Sequence, residues 1–194
     1  MNTLLSKMSP TATNMIRMDH SHVLMTFHKY EMDASPGTKQ ALVNTVCLAL
    51  EIHAQLEEEI FYPAMRQSAG DGDVVAKSIP EHQEMKRLIG ILRAMEPGGA
   101  EYDQTFMELM RDVIHHVADE ETILLPDAER RIPDRLGELG MEMTKRRLEL
   151  TAPRAGEIAL NTARGMPASS MLMAAGAVVA GTYLMSRVWS TRRM

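Results

Sequence analysis

Apolar side chains recur at steps of three and four residues along much of the chain, as at Leu42, Val46 and Ala49. Such steps place side chains on one face of an α-helix, because each residue advances about 100° around the helix axis. Clusters of glycine, proline, serine and aspartate interrupt this pattern and mark turns. The pattern predicts four helices, which begin near residues 13, 38, 74 and 102, with Thr38 as the N-cap of the second.

The connections between these helices are short, which makes sequential neighbours antiparallel. The predicted fold is therefore all-α, with an antiparallel up-down-up-down four-helix bundle over residues 1–131. Pro63 and Pro126 fall late in the second and fourth helices, where the missing N–H predicts a kink or a loosened turn. Residues 132–166 are expected to hold a charged fifth helix and a linker, and residues 167–194 a hydrophobic C-terminal helix.

The C-terminal segment carries no charge from Pro167 to Ser186, which is long enough to cross a membrane. Its alanines and glycines are weakly lipophilic, however, and they also suit close packing between two helices. Three interpretations stay open: a membrane anchor over residues 167–189, a helix that joins copies of the chain into a homo-oligomer, or a peripheral segment. We expect the N-terminal domain to be cytoplasmic and, with an anchor, to be held at the inner membrane.

Charge and cysteine content narrow the choice of partners and compartment. The chain has 21 basic and 26 acidic residues, a net charge of −5, and no basic stripe before its last residues. We therefore expect no nucleic-acid partner, because nucleic-acid binding draws on clustered positive charge. Cys47 is the single cysteine and cannot form an internal disulfide, which suits a reducing compartment.

The candidate metal-binding residues are concentrated in a sequence motif that occurs twice, 63 residues apart. The first copy has His53 four residues before Glu57, and the second has His116 four residues before Glu120. A lone histidine, preceded by an acidic residue, stands ahead of each copy, which indicates that the chain is a duplicated unit. These lone histidines are His20, after Asp19, and His82, after Glu81.

The spacing within this motif indicates a metal site in a helical core. A step of four residues turns a helix by about 400°, so each paired histidine points the same way as its glutamate. Burying these groups without partners would cost several kcal/mol per ion, whereas a pair of cations would turn the carboxylates and imidazoles into ligands. Mixed histidine and glutamate ligands suit iron or manganese, and zinc less specifically.

The order of these residues resembles the hemerythrin-like, HHE cation-binding domain family, over about residues 16–131. The resemblance implies a four-helix bundle around a non-haem di-iron site, with two iron ions bridged by two glutamates. Manganese and zinc are less favoured cofactors. The metal ligands that the resemblance implies are His20, His53, Glu57, His82, His116 and Glu120.

The sequence departs from the oxygen-carrying members of that family at Lys86. The resemblance implies that those members carry a second histidine four residues after the ligand of the third helix. Lysine only donates hydrogen bonds in its usual protonated form and does not readily ligate iron. Two histidines per iron disfavour simple oxygen carriage. They favour redox chemistry with oxygen, peroxide or nitric oxide, or the binding and sensing of iron.

Three functions stay open at this point. The leading hypothesis is a non-enzymatic di-iron protein that binds or senses oxygen, nitric oxide or iron. The second is a di-iron enzyme that acts on peroxide or oxygen, or repairs nitrosative damage, with Tyr62 and Lys86 as candidate acid-base groups. The third is a membrane-linked iron buffer, or a bundle that metal merely holds together.

Several residues near the predicted ligands allow two interpretations each. Glu58 and Glu121 recur in both copies as solvated flanks, or as extra ligands and hydrogen-bond acceptors. Asp19 and Glu81 would either hold a neighbouring imidazole or carry plain surface charge, and we expect surface charge. His28 would lie at the edge of the bundle, as an extra ligand or behind one.

Overall fold

The computed structural model describes residues 9–69 and 73–165, and these ranges contain helices and no β-strand. The expected all-α class is confirmed. In chain order the helices are α1 Ala12–Phe27, α2 Pro36–Leu56, α3 Tyr62–Ala69, α4 Asp73–Ala94, α5 Ala100–Asp119, α6 Leu125–Arg131, α7 Leu136–Thr151 and α8 Ala155–Gly165. Two 3-10 turns, Pro133–Arg135 and Ala152–Arg154, precede α7 and α8.

Helix α2 begins earlier than the apolar pattern predicts. Its N-cap is Ser35, whose side chain accepts a hydrogen bond from the backbone N–H of Thr38 at 3.2 Å. The predicted N-cap at Thr38 is therefore wrong. Pro36 occupies the first turn, where its missing N–H costs nothing because that N–H would have no partner within the helix.

Helices α2 and α5 continue into α3 and α6 through single π-helical turns, at Glu57–Phe61 and Glu120–Leu124. After each turn, the next backbone N–H bonds to the carbonyl of the first residue of the turn, five positions earlier. Pro63 and Pro126 follow one residue later and have no N–H, and the wider turn carries the helix across them. The predicted loosened turns are confirmed, and each begins at a predicted glutamate ligand.

Two clusters of buried apolar side chains lie on either side of the predicted ligands. On α1, His20 stands between Ile16 of the first cluster and Val23 of the second. On α2 the order is reversed, since Val46 of the second cluster precedes Leu56 of the first. On α4, Val75 of the first cluster precedes Met85 of the second, and α5, whose clustered side chains all belong to the second, is followed by Leu124 of the first. The polar residues therefore lie between two apolar layers.

Helices α7 and α8 form an appendage to α1 and α2. Helix α7 packs against both, and α8 packs against α2. The predicted apolar edge of the fifth helix is confirmed, because Leu136, Leu139 and Met143 are buried. The fit is close: a Cβ on Gly140 would overlap the carbonyl oxygen of Pro10, so only glycine allows α7 to lie this near.

The stretch that we expected to be a linker after the fifth helix contains helix α8 instead. Pro153 falls in a short 3-10 turn that tolerates its fixed φ, and Ile158 packs on the first apolar cluster. The expected C-terminal helix over residues 167–194 lies outside the described residues. Within the described ranges, none of the helices combines the length and the hydropathy that a membrane span requires.

Candidate metal centre

The six predicted ligands come together where α1, α2, α4 and α5 meet, and all six are buried. Among the described residues, their potential ligand atoms form two groups of four, and within each group all atoms lie within 4.8 Å of one another. The groups share His53 and Glu57 and therefore define adjoining positions. The first group is His53, Glu57, His82 and His116, and the second is His20, His53, Glu57 and Glu120.

The imidazole Nε2 atoms face the carboxylates at the centre of this cluster. His20 Nε2 lies 3.2 Å from Glu120 Oε2, and His53 Nε2 lies 3.2 Å from Glu57 Oε2. The other two imidazoles place their Nε2 atoms 3.2 Å from each other. Nitrogen and oxygen donors from four helices thus converge on one small volume.

A carboxylate lies behind each lone histidine, on the opposite side of the ring. Glu58 accepts a hydrogen bond from Nδ1 of His82 at 3.0 Å, and Glu121 accepts one from Nδ1 of His20 at 3.0 Å. In both pairs the glutamate comes from the other repeat of the chain. Because the proton is then held at Nδ1, the Nε2 lone pair is free to face a cation.

The paired histidines also have a carboxylate behind them, from within their own repeat, with a hydrogen bond at His116 and a longer contact at His53. Nδ1 of His116 donates to Glu81 at 2.9 Å, and Nδ1 of His53 lies 3.5 Å from Asp19 Oδ2. The expectation that Asp19 and Glu81 carry plain surface charge is therefore wrong. Adjacent helices place each acid behind an imidazole of the next helix, a neighbour that spacing along one helix does not reveal.

A basic side chain lies beyond each of these carboxylates. Lys86, at the position where the oxygen carriers have histidine, donates to both oxygens of Glu58 at 2.8 Å. Burial alone would raise the pKa of Glu58, but the hydrogen bonds from Lys86 and His82 lower it, so this carboxylate stays ionised. The other pairs are Arg147 with Asp19, Lys77 with Glu81 at 3.4 Å and Arg17 with Glu121 at 4.0 Å.

The hydroxyl of Tyr62, one of the two candidate acid-base groups named from the sequence, lies inside the cluster. It donates to Glu57 Oε2 at 3.0 Å and to Glu120 Oε1 at 2.8 Å. Burial and the charges of both carboxylates raise the pKa of Tyr62, so the phenol keeps its proton. The equivalent residue in the second repeat is the buried Leu125, and the two halves of the centre therefore differ here.

The donor set fits metal cations, as the unpaired atoms show. The Nε2 atoms of His20 and His53, Oε1 of Glu57 and Oε2 of Glu120 are buried and have no hydrogen-bond partner among the described residues. Burying such atoms unpaired is unfavourable by about 1–3 kcal/mol each, and coordination to a cation would remove that cost.

The pKa shifts of these groups reflect burial and the crowding of charges within the cluster. Burial and the nearby charge of Glu120 raise the pKa of Glu57. Burial alone would also raise the pKa of Glu120, but its closeness to His20, whose Nε2 lies 3.2 Å away, and the charges of His116 and His53 lower it. Burial lowers the pKa of His53 to about 4, so this imidazole is neutral at pH 7, which is the form that binds metal.

The remaining histidines lie away from the cluster. His28 is exposed, and its Nδ1 donates to the carbonyl of Leu24 at 2.8 Å, so the structure does not bring it to the ligands. His22 and His115 are exposed, as expected for residues rotated away from the core. Cys47 is buried, and burial raises its pKa to about 12, which fits a structural residue.

Comparison with known families bears directly on this arrangement. The sequence pattern of the Hemerythrin family, described as the hemerythrin HHE cation binding domain, matches residues 11–139. The chain belongs to this hemerythrin HHE family. The matched region contains all six clustered residues and the four carboxylates behind the imidazoles. It ends in the first turn of α7, so most of α7 and all of α8 lie beyond it.

Two individual proteins resemble this hemerythrin-family chain. A solved hemerythrin HHE cation-binding domain-containing protein from Mycobacterium kansasii has a TM-score of 0.61 and 18% identity, covering 80% of this chain and 99% of that chain. At that identity the likeness shows the fold alone. A protein of Nostoc sp. named DNA nickase is 33% identical over 111 residues, 57% of this chain and 31% of that protein. The chain therefore spans about a third of that relative.

Proposed function

We propose that this hemerythrin-family chain is a non-haem di-iron protein that binds or senses oxygen, nitric oxide or iron. The observation that carries the proposal is the convergence of four buried imidazoles and two buried carboxylates, several of whose inward atoms have no hydrogen-bond partner among the described residues. The alternating direction of the long helices supports an antiparallel four-helix bundle around that centre.

The character of the ligand set favours iron over zinc. Structural zinc sites are usually closed and tetrahedral, with four ligands around one ion. Here two adjoining groups share His53 and Glu57, which suits two ions side by side. Imidazole and carboxylate together, without a thiolate, are donors that iron and manganese accept in such pairs.

The residues around the ligands have defined roles in this proposal. A bound iron pair would supply one-electron redox chemistry and coordination positions for a small ligand. The four carboxylates behind the imidazoles favour ring orientations in which Nε2 faces inward, and the basic side chains beyond them hold those carboxylates in place. The two apolar layers exclude bulk water from the centre.

A second candidate, a di-iron enzyme that consumes peroxide or oxygen, is favoured by one observation. The Tyr62 hydroxyl holds a proton between both glutamates, where it could serve as a general acid. Steady peroxide consumption that falls at least about tenfold in Tyr62→Phe, at unchanged iron content, would support this candidate. Equal turnover in both proteins, or a single stoichiometric reaction, would count against it.

Cleavage of DNA, which the name of the Nostoc protein states for that protein, does not extend to this proposal. The shared region is 31% of that protein, and the activity belongs to the whole. This chain also carries a net charge of −5, which opposes association with a phosphate backbone.

The experiment that tests the proposal is metal analysis of the full chain, purified and then loaded with iron without oxygen. We expect about two iron ions per chain and, after air oxidation, a near-ultraviolet absorption that azide alters. Neighbouring histidines supply a matched pair of variants. His116→Ala should lose iron, whereas His115→Ala, with its exposed side chain, should keep it. Zinc alone, or equal iron in both variants, would contradict the proposal.

A further inference from the structure

The appended helix α7 reaches the metal centre through Arg147. The terminal nitrogens of this side chain donate to both oxygens of Asp19, one of them at 2.7 Å. Asp19 is one of the four carboxylates behind the imidazoles, and its Oδ2 lies 3.5 Å from Nδ1 of His53. An arginine that holds both oxygens fixes a carboxylate more closely than a single contact does. Contacts therefore run from α7 through an acid of α1 to an imidazole of α2.

The origin of this arginine distinguishes it from the basic residues behind the other ligands. The remaining three carboxylates pair with Lys86, Lys77 and Arg17, which all lie within the region matched by the family. Arg147 lies beyond that region. The family domain thus supplies all six clustered residues, whereas the cation that holds Asp19 comes from the appendage.

The imidazole at the end of these contacts has a central place in the cluster. His53 is buried and belongs to both groups of potential ligands, whereas His82 belongs to one. Its Nδ1 has no hydrogen-bond partner among the described residues, and the carboxylate of Asp19 is the acceptor beside it. A proton held at Nδ1 leaves the Nε2 lone pair free for a cation. The position of this carboxylate therefore affects both adjoining groups.

We propose that Arg147 is a positioning residue of the metal centre: it holds Asp19 so that the imidazole of His53 keeps its proton at Nδ1 and turns Nε2 toward the cation. This role rests on the metal binding proposed for the cluster. Helix α7 is then part of the site, although it lies largely outside the family domain. The effect is reciprocal, because a metal that binds more tightly when α7 is docked also holds α7 more tightly.

The neighbouring arginine provides a matched control. Arg146 also links α7 to the bundle, with its Nε 2.7 Å from Oε2 of the exposed Glu59. Glu59 is neither one of the six clustered residues nor one of the carboxylates behind them. Arg146→Met and Arg147→Met each remove one arginine–carboxylate contact of α7, so a purely structural role of these contacts predicts the same result in both variants.

The first measurement is NMR of the imidazole nitrogens in the metal-free full chain, which shows which nitrogen of His53 carries the proton. The signals of His53 are assigned by their loss in His53→Gln. We expect the proton at Nδ1 in the unaltered chain and in Arg146→Met, and a mixture of the two tautomers in Arg147→Met.

The second measurement is the affinity of the full chain for Fe(II) without oxygen, by competition with a chelator. Groups behind metal ligands contribute about tenfold or more to affinity, so Arg147→Met should bind iron about tenfold more weakly, and Arg146→Met should differ by less than about twofold. Arg147→Lys keeps the charge but not the two parallel donors, so its affinity should fall by about threefold. This variant replaces Arg147→Met if the latter fails to fold.

An unchanged proton position at His53 in Arg147→Met, or equal iron affinities in Arg146→Met and Arg147→Met, would overturn the proposal. Failure of the unaltered chain to bind iron would instead contradict the proposed function. The tautomer of His53 in the metal-free protein would still decide whether Arg147 positions this imidazole.

Discussion

Replacement of Tyr62 by phenylalanine removes one buried hydroxyl and leaves the packing of the ring in place. The lost hydrogen bonds run to Glu57 at 3.0 Å and to Glu120 at 2.8 Å. Hydrogen bonds to charged groups contribute about 1.5–3 kcal/mol, so we expect the metal-free protein to lose about 2 kcal/mol of unfolding free energy. In a chain of this length that loss corresponds to a fall of about 4–8 °C in Tm.

Metal should reduce the effect of this substitution. Cations would neutralise the glutamates that the hydroxyl otherwise stabilises, so Tyr62→Phe should cost less than about 1 kcal/mol after iron loading. Urea denaturation with and without iron measures both values. Tyr102→Phe is the control, since Tyr102 is also buried and its hydroxyl bonds to none of the described residues. Equal losses in the two metal-free variants would refute the reasoning.

Three further predictions concern the appendage, the pH dependence and the groups behind the ligands. Gly140→Ala should destabilise the chain by about 2 kcal/mol in urea denaturation, because the new Cβ would overlap the carbonyl oxygen of Pro10. Gly137→Ala should instead stabilise the chain by up to about 1 kcal/mol, because no atom lies near its new Cβ. The reverse order of stabilities would contradict the packing of α7. Burial lowers the pKa of His53 to about 4 against about 6.5 when unfolded, so the contribution of His53 to stability should fall by up to about 3 kcal/mol as pH drops from 6.5 to 4, while the raised pKa values of Glu57 and His20 act in the opposite direction. Denaturation of this chain and of His53→Gln without metal isolates the contribution, and an identical pH dependence in the two proteins would disagree. Lys86→Met should weaken iron binding about tenfold, measured by competition with a chelator, because Glu58 loses the cation that holds it behind His82. The control Lys29→Met, at an exposed lysine, should leave the iron affinity unchanged. Similar affinities in both variants would show that Lys86 does not have this role.

The two histidine–glutamate pairs could be predicted because helical periodicity and the apolar stripe fix which way a side chain points, and the lone His20 and His82 followed from the duplication and the family resemblance. His53 and Glu57 share a face at a step of four, and the flanking apolar positions show that this face is buried. The partners behind the ligands could not be assigned in this way. Glu58 backs His82 from another helix, and spacing along one helix carries no information about which helix lies beside it.

The position of Tyr62 was hidden by a local departure from α-helical geometry. In a regular α-helix it would lie about 140° around the axis from Glu57, five residues earlier. The π-helical turn at Glu57–Phe61 contains more residues per turn and brings the hydroxyl back to the same glutamate. The proline indicated that the turn would be irregular, but not in which direction the helix would adjust.

Anomalous diffraction at the iron absorption edge, from crystals of the iron-loaded full chain, tests the central claim most directly. The account predicts two neighbouring anomalous peaks within the cluster, one beside Nε2 of His82 and His116 and the other beside Nε2 of His20 and His53. A single peak, no peak at the iron edge, or iron bound outside these residues would contradict a di-iron centre built from the duplicated ligands.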